Sequence, residues 1–175
     1  SGDYHHHMFS SCLMSLFNDD GSGHSPVYGY AADGYPIYGP YHAAEVLAKS
    51  AWVARDYDDI SSSSGCGTAG ERSCQLVDNY NLSKGTFSVA SGPATDEIVS
   101  SNSSNEFTTT SGFYYEDFYY DSSLTDLGGE YLDDHNGHSH GDYGYHYHTT
   151  VTEVNGSLEA SFPYNIGPTF YGRLA

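Results

Sequence analysis

Five of the ten histidines of this chain lie within residues 133–148, a segment that ends in Tyr145-His146-Tyr147-His148. Successive side chains of an extended strand point to opposite faces, so the sequence predicts that His146 and His148 share one face. Two imidazoles on one face of a stiff strand suit zinc, copper, iron or nickel. The alternative is an aromatic strand with solvated histidines. The other histidines of the segment favour a metal site and are further candidate ligands: His135, His138 and His140.

The N-terminal residues 2–7 repeat this pattern as Gly-Asp-Tyr-His-His-His. Extended backbone would place His5 and His7 on one face, as a second pair of imidazoles. An expression tag is the alternative origin of three consecutive histidines, but the preceding Gly-Asp-Tyr is not typical of a tag. We expect the two pairs to converge on one ion, copper or zinc rather than iron, with His24 or His138 completing the ligands. Binding should weaken below about pH 6, where free imidazole is protonated.

Oxygen ligands are concentrated in the same segment. Calcium binds several carboxylate, amide or carbonyl oxygens, and four side chains are candidates for a calcium site: Asp133, Asp134, Asn136 and Asp142. Their spacing does not match an EF-hand loop. Calcium is therefore an alternative to a transition metal at this place.

Three blocks of this sequence resemble the YHYH-domain family. They are residues 4–12, residues 24–40 and residues 132–148, the last followed by Phe162-Pro163-Tyr164. The resemblance implies a compact β-rich domain with a histidine metal site, a location outside the cell or at its envelope, and no assigned reaction. The family usually has a cysteine where His135 stands and another near Pro168, so its usual disulfides are not expected here. It also spaces the last two blocks more closely, so residues 43 to about 128 look like an insertion in one domain spanning 1–175.

The composition favours a β-rich fold built on tyrosine. Aliphatic residues are few, but 18 tyrosines supply large apolar rings whose hydroxyls can be satisfied at a surface. We expect a mainly β, Tyr-rich antiparallel sandwich or barrel-like domain with long loops. One short helix is expected over residues 43–55, which are rich in good helix formers.

Residues 27–38 predict a hairpin. Two β-prone segments, 27–32 and 35–38, flank Asp33-Gly34, a pair that tolerates the positive φ of a tight two-residue turn. Pro36 should place its strand at an edge or a bulge, because proline has no N–H to donate.

The charge and the cysteines restrict the partners. A formal net charge of −18 disfavours nucleic acid and attracts cations, and no apolar run is long enough for a membrane span. Cys66 and Cys74 could close a short disulfide loop, as expected outside the cell, which leaves Cys12 as a free thiol or an interchain partner.

The chain starts at Ser1 inside a motif block, so we expect an upstream part or a removed leader. Asn-x-Ser sequons predict N-linked glycan at Asn81, Asn102 and Asn155.

Three classes of function fit these observations. The first is a secreted metal-binding glycoprotein that carries or scavenges copper or zinc. The second is a structural subunit that polymerises with copies of itself into an extracellular filament or coat, with the metal or calcium as a staple. The third is a metalloenzyme that uses the same histidines with an open coordination position. No motif for another reaction is present, and an enzyme is the less favoured of these classes.

Overall fold

The computed structural model describes residues 8–56, 75–77, 86–88, 95–100, 104–112 and 115–174. Within these residues the chain has one α-helix, α1 (Ser11–Phe17), three short 3-10 helices and sixteen short strands. The strands are β1 (Val27–Tyr30), β2 (Pro36–Tyr38), β3 (Tyr41–Ala43), β4 (Val46–Leu47), β5 (Lys49–Ser50), β6 (Trp52–Ala54), β7 (Gln75–Val77), β8 (Thr86–Ser88), β9 (Ile98–Ser100), β10 (Glu106–Thr108), β11 (Phe118–Tyr120), β12 (Tyr131–Leu132), β13 (Gly137–Ser139), β14 (Tyr145–His148), β15 (Val151–Val154) and β16 (Ser157–Ala160). The 3-10 helices are Tyr115–Asp117, Ser122–Asp126 and Gly141–Tyr143.

The prediction of a mainly β chain with one short helix is confirmed. In the described part of the chain the strands form one four-stranded sheet and six two-stranded sheets, and they do not close into a barrel. Pairing is mostly antiparallel, but β2 and β14 run parallel, as do β5 and β12. No helix among the described residues is long and apolar enough to cross a membrane.

The chain divides into two compact units. One contains the described residues of Ser1–Trp52 and Asp121–Ala175, and the other contains those of Val53–Tyr120. The second unit is built from strand pairs, among them β7 with β8 and β9 with β10. The insertion over residues 43 to about 128 stays a prediction.

The predicted helix over residues 43–55 is wrong. The chain instead forms β3 to β6 around this segment, and Glu45 adopts a positive φ of 58° in the turn between β3 and β4. Backbone hydrogen bonds go to distant residues, since the Ala48 N–H donates to the Pro40 carbonyl at 2.8 Å and the Lys49 N–H to the Glu130 carbonyl at 2.8 Å. Helix propensity is a weak preference, and these tertiary bonds override it.

The helix forms where the capping residues favour it. The Ser10 side chain accepts a hydrogen bond from the Cys12 N–H at 3.2 Å at the start of α1. Asn18 ends the helix in the left-handed conformation, with φ 52°. Serine and asparagine are suited to these two positions.

The largest sheet in the first unit has the strand order β1-β2-β14-β13. β1 and β2 form the predicted hairpin, but five residues connect them rather than two. Within this connection the Ala31 N–H donates to the Tyr35 carbonyl at 2.8 Å and the Gly34 N–H donates to the Ala31 carbonyl at 2.9 Å. Of the two alternatives predicted for the strand of Pro36, the edge is wrong, since β2 lies between β1 and β14, whereas the β1–β2 pair does contain an irregularity, a register shift between Val27 and Gly29 of β1. Pro36 is tolerated as the first residue of β2, and β14 pairs only with Ile37 and Tyr38.

The buried residues of the first unit are unusually polar. Leu132 and Tyr147 are fully buried, and so are His146, His148 and Asn136. Buried polar groups must be hydrogen-bonded or otherwise compensated. The buried histidines therefore need hydrogen-bond partners or another ligand that compensates their burial.

Candidate metal centre

β14 alternates between a histidine face and a tyrosine face. His146 and His148 lie side by side, with their Nε2 atoms 3.2 Å apart, and both residues are fully buried. Tyr145 and Tyr147 contact each other edge to face at a ring-centroid distance of 5.6 Å. The prediction that His146 and His148 share one face of a strand is therefore confirmed.

The tyrosine face anchors the strand through carboxylates. The Tyr145 hydroxyl donates to Asp133 at 3.0 and 3.1 Å, and the Tyr147 hydroxyl donates to Asp33 at 2.6 Å. Burial raises the pKa of both tyrosines, and the neighbouring carboxylates raise the pKa further. Tyr171 stacks on Tyr145 at 3.5 Å. These contacts hold β14 so that its histidines face the other way.

His24 joins the β14 histidines from the loop before β1. Its Nε2 atom lies 3.3 Å from the Nε2 atom of His146. The three rings each offer one nitrogen, and these nitrogens all lie within 4.8 Å of one another. We call His24, His146 and His148 the first triad. The ring of His24 is stacked on Tyr143 at 4.1 Å.

A buried carboxylate fixes the loop that carries His24. Asp19 accepts hydrogen bonds from the Ser25 hydroxyl at 2.6 Å and from the Tyr28 hydroxyl at 2.8 Å. The Ser25 hydroxyl in turn accepts from the Tyr41 N–H at 2.8 Å. The Ser25 N–H also donates to the Tyr41 carbonyl at 2.9 Å, so the residue after His24 is held at both its side chain and its backbone, which restricts where the imidazole can point.

Each ring of the first triad donates its Nδ1–H to a backbone carbonyl. The three carbonyl acceptors, at 2.9, 2.8 and 2.6 Å, are Ser25 for His24, Gly144 for His146 and Gly39 for His148. A carbonyl can only accept a hydrogen bond, so Nδ1 carries the proton in every ring. In the neutral imidazole Nε2 is then an unprotonated lone pair. Three lone pairs therefore converge.

Burial keeps these rings neutral. It lowers the pKa of His146 to about 4, against the hydrogen bond to the Gly144 carbonyl, which raises the pKa. The pKa of His148 is well below its ordinary value for the same reason, and that of His24 is also lowered. Neutral imidazole is the form that binds a metal ion.

A second group of three histidines lies beside the first. His42, His138 and His140 each offer one ring nitrogen, and these three nitrogens also lie within 4.8 Å of one another. We call these residues the second triad. The rings of His42 and His140 are stacked at a centroid distance of 4.1 Å. The ring of His138 is 4.8 Å from that of His146.

The register of the sheet explains part of this arrangement. His138 on β13 lies directly opposite His146 on β14, so the two share the histidine face. His42 comes from β3, and sequence reasoning missed it because it has no histidine at strand spacing. His138 and His140 have that spacing, which would have indicated a second pair.

A comparison of the sequence with family models identifies the chain. The model described as YHYH protein matches residues 1–129. The chain belongs to the YHYH protein family. The matched residues of this YHYH chain include His24 and His42 and end before β14. The chain has no significant match among curated proteins or among solved structures.

Some predicted ligands of the YHYH chain are elsewhere. His5 and His7 lie outside the described residues, so their convergence with His146 and His148 stays a prediction. His135 belongs to neither triad. Its Nδ1 is within hydrogen-bond distance of Thr169, at 2.8 Å from Oγ1 and 3.1 Å from the carbonyl. It lies 6.0 Å, between ring centroids, from Tyr171, which stacks on the tyrosine face.

Two of the four predicted calcium residues, Asp133 and Asn136, make hydrogen bonds at the turn between β12 and β13. The Asp133 carboxylate accepts from the N–H groups of His135 at 2.9 Å and Gly137 at 3.0 Å, besides the Tyr145 hydroxyl. The Asn136 amide donates to the His148 carbonyl at 3.0 Å. Asp142 is exposed. The aspartates of this set, Asp133, Asp134 and Asp142, do not form a close group among the described residues.

The remaining predicted sites are less constrained by the structure. Cys66, Cys74, Asn81 and Asn102 lie outside the described residues. Cys12 is exposed in α1 and has no disulfide partner among the described residues. Asn155 is exposed at the tip of the β15–β16 hairpin. Glycosylation there stays a prediction.

Proposed function

We propose that the YHYH chain binds a transition-metal ion, zinc or copper, through the Nε2 atoms of the first triad. The observation that carries this proposal is the convergence of three unprotonated nitrogens, with Nε2–Nε2 distances of 3.3 Å from His24 to His146 and 3.2 Å from His146 to His148. Two nitrogens bound to one tetrahedral zinc at about 2.0–2.1 Å are separated by about 3.3 Å. The spacing suits one shared ion.

Electrostatics supports an ion at this place. Lone pairs that face each other across this distance repel, and a cation between them removes the repulsion. A proton on one ring would satisfy only one of the contacts, and the pKa of His146, lowered by burial to about 4, disfavours that proton at neutral pH. The net charge of −18 also attracts cations to the chain.

The surroundings of the triad have the features of a metal site. Metal-bound histidines almost always donate their second N–H to a carboxylate, a carbonyl or water, which fixes the tautomer and the ring orientation. All three rings do so here. Three protein ligands leave a fourth position for water or another ligand. We propose binding as the function and assign no reaction.

A dialysis experiment tests this function. Purified chain is dialysed against a small excess of zinc or copper and its metal content is measured. His148→Ala should contain one equivalent less than the unchanged chain, because a ligand of the first triad is lost. His135→Ala is the matched control and should lose none. Equal metal content in His148→Ala and the unchanged chain would contradict the proposal.

A further inference from the structure

We infer that the second triad, His42, His138 and His140, is a second transition-metal site that adjoins the first, so that the chain holds a two-metal centre. This inference rests on the proposed function, since it adds a second ion beside the one at the first triad. The ligands come from three places: His42 from β3, His138 from β13 and His140 from the residue after β13.

Unsatisfied ring nitrogens point to a ligand at the second triad. His42 Nδ1, His138 Nε2 and His140 Nδ1 are buried and have no hydrogen-bond partner among the described residues. A buried polar atom without a partner destabilises the folded chain, because its lost hydration is not replaced by a hydrogen bond. One such atom in each of three touching histidines is best explained by a shared ligand, and imidazole nitrogens bind transition metals.

The protonation of His138 suits this role. It makes a hydrogen bond to the Gly129 backbone, and because its Nε2 has no partner, the donor is Nδ1. Nε2 is then an unprotonated lone pair, as in the first triad. The ring centroids of His42 and His140 lie 5.1 and 5.7 Å from that of His138.

Two ions explain the six rings better than one. The nitrogens form two separate groups of three and not one group of six. The groups nevertheless touch, because the His138 ring is 4.8 Å from that of His146 and the His24 ring is 5.6 Å from that of His140. Two ions held by these groups would be close neighbours. Each would have three imidazole ligands and room for an exchangeable ligand.

Metal counting on variants separates the two sites. Full-length chain is dialysed against copper(II), and the content of each variant is subtracted from that of the unchanged chain, so that binding by other histidines cancels. His42→Ala and His140→Ala should each lose one equivalent. His148→Ala should lose one from the first triad, and His135→Ala none. Circular dichroism confirms that each variant is folded.

The outcomes distinguish the two proposals. If His148→Ala loses an equivalent and the second-triad variants lose none, the second site is overturned and the first stands. If His148→Ala loses none, the proposed function itself fails. If folded His42→Ala loses both equivalents, the two triads do not bind their ions independently, and the assignment of one separate ion to each triad is overturned.

Electron paramagnetic resonance gives a readout that needs no variant. Neighbouring copper(II) ions couple magnetically, so the signal per copper should fall or broaden as the second equivalent is added to the unchanged chain. A signal per copper that stays constant through the second equivalent would overturn the two-metal centre.

Discussion

Gly39 shows how a single small residue allows the first triad to form. Its carbonyl accepts the Nδ1–H of His148 at 2.6 Å. A Cβ atom at Gly39 would collide with the Asp19 carboxylate and would lie 2.6 Å from Cζ of Tyr28. Asp19 is itself buried and hydrogen-bonded. The glycine therefore permits close packing between the β2–β3 connection, whose carbonyl accepts from His148, and the loop that carries His24.

Replacing Gly39 with alanine should destabilise the chain. The added methyl has no space, and overpacking of this kind costs about 1–3 kcal/mol. Gly29→Ala is the matched control, because a Cβ at Gly29 meets nothing within 4 Å. Urea unfolding of both variants measures the difference. Equal stability of Gly39→Ala and Gly29→Ala would show that the Asp19 and Tyr28 contacts adjust without cost.

At the scale of elements, the β15–β16 hairpin depends on two residues. Asn155 and Gly156 connect the strands with positive φ values of 51° and 78°, and Val154 pairs with Ser157. Positive φ at both positions is typical of a type I′ turn, for which Asn-Gly is the preferred sequence. The same asparagine belongs to a glycosylation sequon, so its two roles must be separated by experiment.

Asn155→Ala should destabilise the unglycosylated chain by about 1 kcal/mol, because alanine disfavours the left-handed conformation. Ser157→Ala removes the sequon but keeps the turn, so it should leave the stability of unglycosylated protein nearly unchanged. Thermal unfolding of both variants, made in a host without N-glycosylation, provides the comparison. A larger loss for Ser157→Ala would be inconsistent with a role for the turn.

The elements that could be predicted are those whose signals are local. Alternation along β14 correctly placed His146 and His148 on one face, since strand period does not depend on distant contacts. The helix over 43–55 failed because its backbone bonds go to residues far away in sequence. His42 was missed for the same reason, as only tertiary structure brings it to His138 and His140.

At the scale of the whole molecule, buried neutral histidines make stability depend on pH. Burial lowers the pKa of His146 to about 4 and that of His138 to about 3, whereas both titrate near 6.5 in the unfolded chain. Between these values the unfolded state binds more protons, so lowering the pH favours unfolding. The stabilisation is complete above about pH 6.5 and is lost progressively toward the folded pKa values.

The metal-free chain should therefore lose stability between pH 7 and pH 5. The expected slope is about 1.4 kcal/mol per pH unit for each histidine that excludes its proton. Carboxylates whose pKa is lowered, such as Asp33 and Glu130, lose their contribution only below about pH 4. Urea unfolding with a chelator at pH 7, 6 and 5 measures the slope.

His146→Asn serves as the control and should flatten this dependence, because one excluded proton is removed. A slope of zero in the unchanged chain would mean that its histidines are protonated in the folded state. An unaltered slope in the variant would assign the effect to other groups.

The first triad joins residues that are far apart along the chain, since His24 and His146 are 122 positions apart. An ion held by both would act as a cross-link that closes this long loop. Such a closure removes conformational entropy from the unfolded chain, worth about 4 kcal/mol for a loop of this size. The entropy cost of bringing the two ends of a loop together grows only with the logarithm of loop length, so doubling the loop adds about 0.6 kcal/mol. The second unit, Val53–Tyr120, lies entirely within the loop. The length of the second unit can therefore change greatly, while the entropy cost of closing the loop rises only slightly.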